Sequence, residues 1–591
     1  MVDTLTRTPP VGRPEGQRDS VWLALSRFRG APLAAFWVVI VVILGLPVIL
    51  FLAVAFSPRL FDQGSEWFTL ASFSQAFSGT LLQGVADSLL VGVLSALAAT
   101  AVGFGVAWLV IRTDLPGRRV WTGVMFALLL APSYLVALGW ERLLEPSGVL
   151  DVAGFHLDGF RNLFYGPFGV IVVLTAKGVP FAFLAISGAL RGLGEEFESA
   201  VRVHGGGPVA STRVLVGLLA PAMWSALAIV FAESVSDFGV AATLANDAHF
   251  PVATYTLYNA VQAFPIEFPI AAAVGWILMG FVVLALFAQN RALRTRSYRV
   301  LGGRSRPARR LRLSPAAKLS GLAAMVFVLI VGIGVPAFGA VSASLINGLG
   351  SLLTSHGLTL ANYGRVLSSA NLHDPLIFSR ELAVVTATIT VVLAAVSARV
   401  LSRRGGGVSA RVLDMSLLAA VALPGIVFAA GYIFTFNLPF FSRIGIQLYG
   451  TTLLLVIGYI ATALPATSRV LLGSVSQIQE SLAEAGRVHG SGPLAAWRRT
   501  VLPVLSRPLV AAWVLVFAAT LLELPMSQLL YPPGSPTVSV AIEHALMNYD
   551  FAGGTAMEVI AVLGALAVVA LAWGVFRLLV PAGWRRLGSL P

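Results

Sequence analysis

The 591-residue chain has no cysteine, which excludes disulfides, thiolate catalysis and cysteine-ligated metal sites. It has only two lysines, Lys177 and Lys318. Neither follows a glycine and precedes Ser or Thr, so there is no Gly-Lys-Ser/Thr phosphate loop. A nucleophile elbow and a His-Glu-x-x-His helix are also missing. The reading is therefore of a protein that is not an enzyme and binds no cofactor itself. Charge is scarce too. Charged residues make up 11% of the chain and hydrophobic ones 57%, a balance that leaves a soluble protein too little polar surface to cover its core.

What is present is a series of long apolar runs. A hydrocarbon core of about 30 Å takes about 20 apolar residues as helix. Twelve runs meet that length: 35–56, 88–111, 120–140, 166–190, 214–236 and 268–288, then 319–346, 382–398, 415–436, 449–468, 509–530 and 559–576. The expected fold class is an all-α polytopic membrane protein of two six-helix halves. Residues 1–34 form an N-terminal tail, 35–290 the first half, 291–318 a basic linker, 319–580 the second half and 581–591 a C-terminal tail. The Arg-bearing start, followed by an unbroken 22-residue apolar run without a small-residue cleavage site, does not read as a signal peptide.

Threading twelve spans with both termini in the cytoplasm places 33 of the 40 Lys and Arg in cytoplasmic segments, as the positive-inside bias requires. The net charge of +13, concentrated in part between Arg291 and Lys318, is thereby explained by the lipid bilayer, and no nucleic-acid partner is expected.

The chain repeats itself. Arg202-Val-His-Gly-Gly-Gly-Pro208 returns as Arg487-Val-His-Gly-Ser-Gly-Pro493, 285 residues on. Val230-Phe-Ala232 returns as Val516-Phe-Ala518, a register that sets Asp237 against Glu523. Pro132-Ser-Tyr-Leu-Val-Ala-Leu-Gly-Trp140 returns as Pro424-Gly-Ile-Val-Phe-Ala-Ala-Gly-Tyr432. Matches in one order at nearly one offset indicate a duplicated unit. An even number of spans per unit gives the halves the same orientation, with a pathway expected between them.

Between spans, Glu484-Ala485-Gly486 precedes Arg487-Val488-His489-Gly490, and Leu502-Pro503 follows. Alanine and leucine favour a short helix, glycines permit a sharp turn, and Ser491 with Pro493 suits the start of the next helix. The outcome is a helix–turn–helix at the membrane surface. Its apolar ridge of Val488, Leu494 and Trp497 suits docking into a groove of a soluble partner. The first copy carries Glu198, Ser199, Ala200, His204 and Gly205, with Leu218 in place of Pro503. His204 and His489 have no neighbours at metal-ligand spacing and read as surface histidines of the turn.

These loops resemble the Glu-Ala-Ala loops of ABC importer permeases, at both points of the repeat and so over nearly the whole chain. The resemblance implies an ATPase subunit dimer on the cytoplasmic side, with ATP and Mg bound there. It also implies an extracytoplasmic substrate-binding protein and a bacterial inner-membrane location.

Acids close the fifth and eleventh spans as Glu233-Ser-Val-Ser-Asp237-Phe238-Gly239 and Glu523-Leu524-Pro525. Carboxylates at such depth line a pathway or pair with other groups, and Glu233, Asp237 and Glu523 are candidates for either role. The two stretches are similar to those of fused ferric iron permeases. The chain then continues Met526-Ser527-Gln528 without that group's Arg-Pro. Ferric iron is the substrate this resemblance implies, with 2-aminoethylphosphonate, thiamine, polyamines and oxyanions as alternatives from the same layout. An ion-driven secondary transporter is a remoter one.

Overall fold

A computed structural model of the chain describes residues 34–146, 149–152, 154–294, 310–346, 358–402, 407–478, 495 and 497–581. The first half contains α1 (Ala34–Val54), α2 (Gly79–Arg112), α3 (Arg118–Leu130), α4 (Ser133–Leu144), α5 (Pro167–Gly192), α6 (Glu195–Val203), α7 (Pro208–Ser236), α8 (Ala253–Gln262) and α9 (Phe268–Arg294). The second half contains α10 (Pro315–Ser344), α11 (Ala370–Leu401), α12 (Val408–Val421), α13 (Gly425–Phe436), α14 (Thr452–Val475), α15 (Leu502–Leu521), α16 (Pro525–Leu530), α17 (Val538–Met547) and α18 (Phe551–Leu579). The described residues form no strand, and 10 helices are long and apolar enough to cross a membrane, or up to 12 with two bent pairs. The chain is an all-α multi-pass membrane protein.

Two expected spans are not straight. The run 120–140 is α3 and α4, bent by 95° at Ala131-Pro132, and 415–436 is α12 and α13, bent by 106° before Gly425. Proline lacks the N–H that would continue the helix and disfavours helical geometry in the residue before it. The run 509–530 also divides: α15 stops at Leu521 and α16 starts at Pro525.

The N-terminal helix of each half packs on the bent helix of the other, α1 against α13 and α10 against α4. Both crossings are built alike. Gly139 of α4 lies so close to α10 that a Cβ would overlap the Pro336 backbone, and a Cβ on Gly431 would come within 2.9 Å of the Pro47 carbonyl. Both N-terminal helices loosen into a π turn just before that proline, at Val41–Gly45 and Ile330–Gly334. Pro47 and Pro336 each withhold a donor from the preceding turn, and a carbonyl without a partner in hydrocarbon costs several kcal/mol. A side chain from the other half donates there. Tyr432 Oη reaches the Ile43 carbonyl at 2.6 Å, and Trp140 Nε1 reaches the Val331 carbonyl at 3.1 Å.

The repeat recurs in smaller contacts. Ser88 of α2 accepts the Ala253 N–H at the start of α8, and Ser379 of α11 accepts the Val538 N–H at the start of α17, both at 2.8 Å. On the linker side, Asp114 pairs with Lys318 at 2.7 Å and accepts the Leu313 N–H. Its hydrogen bond to the Lys318 ammonium, then the one from Leu313, holds its carboxyl below the usual range. The N-terminal start of α10 is thus clamped to the α2–α3 loop.

Replacing Tyr432 with Phe removes the donor to Ile43 and keeps the ring. The expected loss is about 1 kcal/mol of stability, read as a lower thermal midpoint in detergent. An unchanged midpoint would show that the crossing does not depend on this bond.

Candidate functional site

The predicted surface helix appears in the first half as α6. Phe197 turns inward against α2, α5 and their neighbours, while Val203 is 84% exposed. Arg202 bonds Ser199 Oγ at 3.3 Å and approaches Glu195 at 3.8 Å. Ala200 is exposed, and its carbonyl lies 2.8 Å from His204 Nδ1, so His204 closes the turn. Gly205 has φ +78°, a left-handed conformation that suits glycine. After it α7 begins with Pro208 in its first turn. Glu198 lies within α6. In the second copy Glu484, Ala485, Gly486, His489 and Gly490 lie outside the described residues. Pro503 is buried in the first turn of α15, and Arg498 and Arg499 are exposed just before it.

Two acids of the other candidate set, Asp237 and Glu523, sit at the helix breaks. Asp237 accepts the Val240 N–H at 2.8 Å, and Glu523 accepts the N–H groups of Met526 and Ser527 at 2.9–3.1 Å. Each therefore caps the turn that follows its span, satisfying donors that hydrocarbon would leave orphaned. The capped turns rest on the bends. A Cβ on Gly239 would overlap Ser133, and a Cβ on Gly425 would touch Pro525. The Asp237 carbonyl accepts from Thr254 at 3.0 Å and the Glu523 carbonyl from Ser539 at 2.6 Å. The predicted register of Asp237 and Glu523 thus becomes one capping geometry made twice.

Lys177 was visible in the sequence only as a charge inside a span. Its Nζ donates to the carbonyls of Leu129 and Ala131, at 3.0 and 2.7 Å, where α3 ends. It lies within electrostatic reach of Glu233 and Asp237. Residue 462, its counterpart, is a threonine bonded within its own helix. Glu233 keeps an exposed side chain, as does its counterpart Ala519. A carboxylate at that depth is expensive, and Glu233 stays a candidate for a pathway or a pairing role, while Asp237 and Glu523 bond the backbone of the turns that follow them.

The halves meet again beyond the bends. Gln528 Nε2 donates to Tyr258 Oη at 3.3 Å, and Tyr258 packs on Phe238 and Tyr255. This closes a seam between α8 and α16.

No family model matches the chain. Among curated proteins, it is 25% identical over 453 residues to the ferric transport system permease protein FbpB of Actinobacillus pleuropneumoniae, covering 74% of this chain and 63% of that one. It is 23% identical over 535 residues to the Fe(3+)-transport system permease protein FbpB 2 of Haemophilus influenzae, covering 89% and 96%. Over most of its length the chain is thus similar to permease proteins of ABC transport systems. A sulfate transport system permease protein, CysT of Escherichia coli, matches over 230 residues at 24% identity, 38% of this chain. The chain spans less than two thirds of the first of these relatives and nearly all of the second. All three relatives are transport components.

If Asp237 acts through its cap, Asp237→Asn, which caps as well, leaves uptake and thermal stability near wild type. Asp237→Ala lowers stability by about 1 kcal/mol. An Asn variant that folds normally and loses transport would instead make the charge itself functional.

Proposed function

We propose that the chain is the membrane subunit of an ATP-driven importer whose cargo is ferric iron. It receives the ion from an extracytoplasmic binding protein and releases it to the cytoplasm. The observation that carries this reading is the surface helix α6 with its open Val203, repeated in sequence at 484–493, in a chain similar to ferric permeases. ATP and Mg belong to a separate ATPase dimer, whose grooves take the two loops. Both termini lie on that side, in keeping with the distribution of basic residues.

ATP binding draws residues 198–213 and 484–499 together. The ATPase must engage one arrangement of the halves more tightly than the other, or no shift follows. The halves rock about the two crossings, and the Tyr258–Gln528 seam opens for cargo. On the outer face a cleft of about 540 Å³, lined by Arg365, Asp374, His544 and Asp550 among others, offers both signs of charge to a binding protein. The sulfate relatives suggest an oxyanion as a second reading. The carboxylates around the outer seam would repel that class of substrate.

Val203→Asp and Gly490→Asp, tested in cells lacking other iron systems, should each abolish uptake of radiolabelled ferric iron and the co-purification of the ATPase. The permease itself should accumulate normally. Normal uptake by both variants would refute the coupling role of these loops.

A further inference from the structure

Where α2 ends and α3 begins, three arginines line one open cleft of about 500 Å³. Arg118 and Arg119 open α3. Arg310 comes from the other side, out of the segment that leads into α10. Among the described residues on this cleft the one carboxylate is Asp114, and it is already engaged. It pairs with Lys318 at 2.7 Å and accepts the Leu313 N–H at 2.9 Å. No acid among the described residues pairs with Arg118, Arg119 or Arg310. Three positive charges therefore share the cleft without an answering negative one.

Backbone bonds hold the two sides together. The Leu311 N–H donates to the Arg112 carbonyl at 2.8 Å, and the Asp114 N–H donates to the Leu311 carbonyl at 3.1 Å. Arg310 is thereby fixed across from the start of α3. Like charges gathered in one place repel, and an anion between them turns that repulsion into attraction. The planar forks of arginine suit the oxygens of a phosphate.

The surroundings favour a lipid phosphate over a soluble one. The cleft lies at the ends of the spanning helices α2, α3 and α10, on the side to which the basic residues are biased. Its wall also continues into apolar surface. Val120, on the cleft itself, is 66% exposed, and Leu319 in the first turns of α10 is 70% exposed. A soluble anion would use the arginines and leave these side chains in water. A phospholipid uses both.

We propose that this cleft holds the phosphate of an anionic phospholipid of the cytoplasmic leaflet, which bridges Arg310 to Arg118 and Arg119. The bridge reaches the surface helix. Arg112, whose carbonyl anchors Leu311, donates through Nη2 to the Leu193 carbonyl at 2.8 Å, two residues before α6. A bound headgroup thus braces the linker, the α2–α3 loop and the root of α6 together. The inference concerns neither cargo nor ATPase and stands whichever solute the chain moves.

The second half supplies a control for general basic charge. At the register of the Pro132/Pro424 repeat, Arg119 corresponds to Arg411 and Arg118 to Ala410. Arg411 is exposed at the start of α12 and does not line this cleft.

The test uses the purified full-length chain, delipidated in detergent and titrated with phosphatidylglycerol or phosphatidylcholine, with bound lipid counted by native mass spectrometry. The wild type should bind a first phosphatidylglycerol in preference to phosphatidylcholine. Arg310→Gln, at an exposed position where folding is not at stake, should weaken that binding about fivefold. Arg118→Gln combined with Arg119→Gln should weaken it further, and Arg411→Gln should leave it unchanged. Equal weakening by Arg411→Gln, or equal binding of the two lipids by the wild type, would overturn the site. Inorganic phosphate that displaces phosphatidylglycerol at matched concentration would overturn the lipid and leave a site for a soluble anion.

Discussion

Hydrocarbon does not hydrogen-bond, so every N–H and C=O at bilayer depth needs a protein partner. Among the described residues two spans are sharply bent and the N-terminal helix of each half loosens into a π turn, and much of the rest of the structure answers the groups thereby freed. Asp237 and Glu523 take the donors at the turns after α7 and α15. Lys177 takes the carbonyls at the end of α3. Tyr432 and Trp140 reach across to the carbonyls beside Pro47 and Pro336. Because those last bonds join opposite halves, meeting the backbone's needs also ties the halves together. The crossings become the natural pivots for any rocking motion.

Duplication makes departures from symmetry informative. Where both copies agree, as in the acid caps, the serine contacts at α8 and α17 and the Gly–Pro crossings, the common cause is the fold. Where they differ, as in Lys177 against Thr462, Glu233 against Ala519 and Glu141 against Ile433, the fold has tolerated either choice.

Apolar runs long enough to span, a repeat at one offset and a basic bias to one side made the all-α membrane fold legible in the sequence. The first surface loop was legible too, since Pro208 after the run of glycines marks a turn and a new helix. The bends were not. Pro132 and Pro424 stood in view, but membrane helices often absorb proline. At these two the turn that follows the fifth or eleventh span rests on the bend, Gly239 against Ser133 and Pro525 against Gly425, about a hundred residues apart in sequence. Asp237 and Glu523 were singled out as acids at depth, yet capping depends on a backbone turn three residues on, which composition does not reveal. Glu141 of α4 and Glu558 of α18, both buried, escaped notice because each is a lone carboxylate near the end of a span. Only the tertiary fold, which sets Arg142 over the Phe551 ring, brings the two helix ends near each other.

The central claim is that two half-molecules, pinned at the crossings, open at the outer seam when ATP is bound. The absence of cysteine gives a clean background for spin labels at Gln262→Cys and Met547→Cys, the corresponding ends of α8 and α17. Their separation should be measured by double electron–electron resonance in the assembled complex, without nucleotide and trapped with ATP and vanadate. The account predicts a short distance at rest and a longer one when trapped. An unchanged distance, in a complex shown to be trapped, would contradict it.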